Sequence, residues 1–106
     1  DVYLIRKSSV VGAALTYTAG IDHHDLVKLG SGSYTNIKLD CGSHVATVKY
    51  PRQGFLGTAE SSVEFECNPG KKVYILFWPG LTVSIKEISQ EEGAKLVEKY
   101  NLVEVR

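Results

Sequence analysis

Turn-forming residues recur about every ten positions along this chain, and the stretches between them alternate apolar with polar side chains. Successive side chains of a strand point to opposite faces, so such alternation calls for sheets with one buried face. Repeated through most of the sequence, it predicts a mainly β, antiparallel β-sandwich of about 7–8 strands. The strand-like stretches are Val2–Arg6, Val10–Ile21, Leu26–Leu29, Ser33–Leu39, His44–Tyr50, Glu60–Glu66, Val73–Trp78 and Leu81–Ile88. Gly12 and Gly20 mark bulges or bends in the second of these. Asp22-His23-His24-Asp25 reads as a polar hairpin turn, and Gly30-Ser31-Gly32 as another turn. Two further hairpins are expected, one around Asp40-Cys41-Gly42-Ser43 and one around Asn68-Pro69-Gly70. Val73–Trp78 is apolar at both parities, which places it centrally with both faces covered.

A single helix closes the sequence, near 89–100. Ser89 is its expected N-cap, with Glu92 three residues on completing a capping box. Glu91 and Glu92 suit the positive end of the helix dipole. Ala94, Leu96, Val97 and Tyr100 form a partial apolar stripe, Asn101 is the expected C′ residue, and Leu102–Val105 an edge strand. Gly93 weakens this helix by about 1 kcal/mol relative to Ala, so docking onto the sheet must help to hold it.

With 106 residues and no boundary or repeat, the chain forms one domain, residues 1–106. Twelve basic and twelve acidic residues balance, so the basic excess of a nucleic-acid-binding surface is missing and no nucleic acid partner is expected. A neutral surface also leaves little charge to keep copies apart, which favours self-association. No run of ~18 apolar residues is present to span a bilayer. The opening, Asp1-Val2-Tyr3-Leu4-Ile5, is strand-like and has no charged or apolar leader region. It reads as a processed product, from which a signal peptide or a lipid-bearing N-terminal linker has been removed.

Cys41 shares parity with Ile37 and Leu39, and Cys67 with Val63 and Phe65. Both thiols are therefore expected to face inward near strand ends and to join as a disulfide, which carries an extracytoplasmic location with it. His23 and His24, flanked by Asp22 and Asp25, have the chemistry of metal ligands. Neighbouring residues on a strand diverge, however, so a solvated hairpin tip is the stronger reading and no metal or other cofactor is expected. Tyr50, Arg52, Phe55 and Trp78 set aromatic and Arg chemistry beside irregular segments, the composition of a partner-binding surface. Acid, base and nucleophile are not clustered, so the chain is not expected to be an enzyme.

Ser8-Ser9-Val10-Val11-Gly12, Val27–Tyr34 with its Gly30-Ser31-Gly32 turn, Cys41-Gly42-Ser43-His44, Gly70-Lys71-Lys72-Val73-Tyr74 and Glu87–Gly93 follow one another in an order that is familiar. It resembles a bacterial family of small lipoprotein-type envelope domains of unknown function, akin to PEGA-like β-sandwich modules. Where that family often has Pro-Gly before the His-containing strand, this chain has Cys41-Gly42. The resemblance implies a β-sandwich in the periplasm or cell envelope, outer-membrane lipoproteins included, and carries over no catalytic residue. The expected function is a non-enzymatic envelope module that binds a protein partner or a cell-wall component. An inhibitor or immunity-type protein acting on a toxin or hydrolase is the alternative.

Overall fold

The computed structural model describes residues 1–8, 16–51, 58–78 and 83–105, with backbone alone at 51 and 58. Nine strands and one helix occupy them: β1 (Val2–Arg6), β2 (Tyr17–Ile21), β3 (His24–Leu29), β4 (Ser33–Ile37), β5 (Gly42–Pro51), β6 (Thr58–Cys67), β7 (Val73–Trp78), β8 (Ser84–Ile88), α1 (Gln90–Lys99) and β9 (Asn101–Leu102). They build two sheets, ordered β8-β7-β1-β4-β9 and β3-β2-β5-β6. The mainly β sandwich with one C-terminal helix thus holds. The four-stranded sheet is antiparallel throughout, while β1 runs parallel to β7 and β4 parallel to β9.

Two expected hairpins are crossings instead. β4 pairs with β1 and β9, whereas β5 pairs with β2 and β6, so residues 38–41 carry the chain from one sheet to the other. Residues 68–72 likewise pass from β6 in one sheet to β7 in the other. Alternation reports which face a side chain takes, not which strand its backbone bonds, so a crossing and a hairpin read alike in sequence. Val73–Trp78 is covered on both faces as expected, but the middle of its sheet is β1.

The inter-sheet core is filled by inward residues of both sheets, among them Val2 and Leu4 of β1, Ile75 and Phe77 of β7, Ala19 and Ile21 of β2, and Ala46 and Val48 of β5. Gly20 is where β2 and β3 shift register, and a Cβ there would lie 2.3 Å from the His24 carbonyl oxygen. Thr35 faces this core fully buried, and its Oγ1 has no hydrogen-bond partner among the described residues.

A second apolar cluster lies on the outer face of the five-stranded sheet, where Ile5, Tyr74, Leu76 and Ile88 meet Leu96, Val97 and Tyr100 of the helix segment. Ser89 caps the helix by accepting from the Glu92 amide at 3.2 Å. The contact stripe differs from the one expected. Ala94 is exposed, Leu96 and Val97 are half-buried, and the buried helical residue is Gly93. Asn101 is no left-handed C′ residue, because Tyr100 ends the helix in extended backbone and Asn101 already pairs with Ser33.

Gly93 is thus more than a weak helix former. A Cβ at this position would lie 2.1 Å from Cγ of Tyr74, whose ring is itself stacked on Tyr3 at 4.8 Å. The helix approaches the sheet at the one place where no side chain intervenes. Gly93→Ala is expected to lower stability by about 1–3 kcal/mol through overpacking, against the ~1 kcal/mol that helix propensity alone would add. Urea denaturation decides between the two signs. Thr35→Val is expected to raise stability by about 1 kcal/mol, since it removes an unbonded hydroxyl from the core at nearly constant shape.

Candidate functional site

The two ends of the sandwich are built differently. At one end β1 stops at Arg6 and β2 starts at Tyr17, β5 stops at Pro51 and β6 starts at Thr58, and β7 stops at Trp78 before β8 starts at Ser84. Register links these termini: Arg6 lies opposite Phe77, Pro51 opposite Thr58 and Trp78 opposite Ser84. Ser61 Oγ donates to the Val83 carbonyl at 2.7 Å, which ties the start of β6 to the approach to β8. Three connections, including the 52–57 segment with Arg52 and Phe55, therefore leave from and return to one end. Arg52 and Phe55 themselves, like Pro79 and Gly80, lie outside the described residues.

Tyr50 and Trp78 are both described, and they serve different layers. Tyr50 is half-buried against the inter-sheet core, edge-on to Tyr17 at 6.0 Å between centroids. Trp78 is half-buried on the helix-covered face, with Lys86 Nζ 5.7 Å from its ring. The end of the sandwich is common to them; a shared surface is not.

Beneath this end lies a residue that sequence reasoning passed over. Arg6 is fully buried, its Nη1 donates to the Leu29 carbonyl at 2.8 Å, and its guanidinium carbon sits 4.1 Å from the centroid of the Tyr17 ring. Burial pushes its pKa below the ordinary value, against an opposing electrostatic pull from the Tyr17 side chain. The signal was present in the alternation, because position 6 has the inward parity of Val2 and Leu4.

The opposite end carries short connections and a dense polar network. Asp22 and His23 make the two-residue turn between β2 and β3, both with positive φ, 50° and 67°. Those angles are the type I′ pattern that matches strand twist. The strain of non-Gly residues there is held by specific bonds. The Asp22 amide donates to the Val45 carbonyl at 2.8 Å, and the Val45 amide donates to Asp22 Oδ1 at 3.0 Å. His44 adds Nδ1 to Asp22 Oδ2 at 2.6 Å and Nε2 to the Asp40 carbonyl at 2.8 Å. The bond from His44 holds the Asp22 carboxyl below its usual range, and the bond to Asp22 raises His44 above its own. Beside this network opens a cleft of about 530 Å³, lined by His44, Phe65 and the carboxylates Asp22, Glu64, Glu66 and Glu87.

His44 thus has both ring nitrogens committed to holding turns. Its C-x-x-H neighbour Cys41 is exposed and Cys67 buried, and both are free thiols in this structure. No bond joins the two in this structure. Pairing in β4 ends at Ile37 and resumes at Gly42, opposite Cys67, so the parity counted through to Cys41 is broken by the crossing. His23 sits in the turn and His24 in β3, both exposed. Among the described residues, no group of three or more His, Cys, Asp or Glu side chains is placed to hold a metal ion. No described helix is long and apolar enough to cross a membrane.

Comparison with family models, curated proteins and solved structures gives no match for this chain.

A thiol reagent is expected to label the native protein once, at Cys41, and to reach Cys67 only on unfolding. A denatured protein that titrates no thiol would instead show the two joined.

Proposed function

We propose that this domain is a non-enzymatic binding module of the bacterial cell envelope that holds a protein partner at the end of the sandwich from which the 52–57 connection leaves. The observation that carries this reading is the convergence of three connections on one end of a packed scaffold. Segments so placed can vary in sequence without disturbing the core, and recognition surfaces are often built that way. Arg52 and Phe55 stand in the central connection, and Arg and aromatic residues are the types most enriched among interface hot spots. Tyr50 and Trp78 flank the same end as supports. The envelope setting rests on the order of turns from Ser8 to Gly93 that resembles small envelope lipoprotein domains, and it admits a lipid anchor or a plain export signal upstream.

The test is affinity capture from envelope extract with the wild-type domain and an Arg52→Ala/Phe55→Ala variant. The variant is expected to lose partner binding by more than ~2 kcal/mol while its stability stays within ~1 kcal/mol. Full capture by the double variant, with losses mapping to the Asp22–Asp25 tip, would move the site to the other end. Co-sedimentation with isolated cell wall in place of protein capture would make the ligand a wall component.

A further inference from the structure

At the end of the sandwich away from the proposed binding surface, one imidazole ties together two turns that the backbone ladders leave separate. Asp22 belongs to the β2–β3 tip and Asp40 to the 38–41 crossing, and His44 of β5 reaches both. A carboxylate and a carbonyl can only accept, so both contacts are hydrogen bonds only when each ring nitrogen bears a proton. The His44 side chain is 14% exposed, and Asp22 on its far side 45%.

We propose that His44 is a proton-operated latch, closed on both Asp22 and Asp40 as an imidazolium and released at Asp40 as a neutral ring. The neutral ring keeps its remaining proton on Nδ1, because a bond to a carboxylate is stronger than one to a carbonyl. Nε2 then presents a lone pair to the Asp40 oxygen at 2.8 Å, and the contact turns from attractive to repulsive. The segment that yields is 38–41, which belongs to no strand and is therefore cheap to open. Gly42, next in the chain, has φ of 129°, a conformation that L side chains rarely adopt, and marks the point where the ladder resumes. Asp22 stays anchored to Val45, its amide donating to the Val45 carbonyl and its carboxylate accepting from the Val45 amide.

The carboxylates nearest His44 favour its cation, while burial opposes it. Asp22 and Asp40 both favour the cation, and Glu64, Glu66 and Glu87 line the same cleft from β6 and β8. His23 acts on Asp22, and Lys71 and Lys72 line the neighbouring hollow with Glu66 and Glu87. Phe65 stacks at 5.8 Å and brings no charge. With the folded-state pKa of His44 raised, the latch contributes its full stability below the unfolded value of about 6.5. That contribution is lost as pH rises through the raised folded value. Asp22, whose carboxyl is lowered, keeps its share until the solution is made strongly acidic.

The latch is tested by NMR titration of the His44 ring protons together with the amides of Asp40 and Cys41. In the wild type, ring and amides are expected to move with one midpoint above about 6.5, and exchange protection of 38–41, relative to intrinsic rates, to fall about tenfold across it. His44→Gln should leave those amides flat with pH, and Asp22→Asn should move the midpoint downward. A midpoint at or below 6.5, or the same amide titration in His44→Gln, would overturn the proposal. Should His44→Gln fail to fold, an unshifted midpoint in Asp22→Asn would overturn it as well. None of these readouts involves a partner, so they stand or fall apart from the binding reading.

Discussion

A guanidinium buried between two sheets is the contact on which the arrangement of this sandwich turns. Arg6 ends the central strand of one sheet, and its charge meets the Leu29 carbonyl and the Tyr17 ring of the other. Taking such a charge out of water costs several kcal/mol unless specific groups receive it. Apolar side chains could slide past one another at little cost, but a guanidinium needs its acceptor at hydrogen-bond distance. Leu29 is the last residue of β3, and Ser33 Oγ binds the Gly30 carbonyl at 2.7 Å as the chain turns back toward β4. The buried charge therefore fixes how one sheet sits over the other at the point where the chain passes between them.

The other face of β1 depends on an absence of atoms. Tyr3, Tyr34 and Tyr74 form an aromatic floor, and the helix settles on it through Gly93, Leu96, Val97 and Tyr100. Its own sequence gives it modest cohesion: one cap at Ser89 and an exposed Glu91–Lys95 pair at 3.6 Å. Exposed pairs of this kind contribute about 0.3–0.5 kcal/mol. Docking thus does most of the holding, and the missing Cβ of Gly93 sets how close docking can be. The Tyr100 hydroxyl then accepts from the Ser8 amide at 3.0 Å, which joins the end of the helix to the segment leaving β1.

Local signals in the sequence were legible and partnerships were not. The Ser89 cap, the β1 and β7 boundaries and the bulge at Gly20 each depend on a few neighbouring residues, and all appear where the pattern places them. Pairing of β4 with β1 instead of β5 depends on residues some thirty positions apart, on which alternation is silent. The same blindness broke the Cys41 parity, since counting by twos assumes a continuous strand where the structure has a crossing. Arg6 was hidden for a different reason. Its residue type argues for the surface while its position argues for the core, and the position wins. The Asp22–His44 bond spans 22 positions between two turns that read as unrelated polar tips. At the other end, the strand termini that support the binding reading could be brought together only by the register.

The contrast between the ends has a physical logic. Asp22 and His23 hold left-handed backbone that costs on the order of 1–2 kcal/mol per non-Gly residue. Such strain persists only where its surroundings over-determine it, and here one backbone bond to Val45, the Val45 amide on the Asp22 carboxylate and the His44 imidazole do so. That end is consequently braced by bonds among its own turns. The opposite end invests its buried charge below the surface, at Arg6, and leaves the connections above it with the strand termini as anchors. A scaffold braced at one end and underpinned at the other can change what it displays without changing how it folds. The placement of Arg6 and His44 at opposite ends of the core supplies that separation.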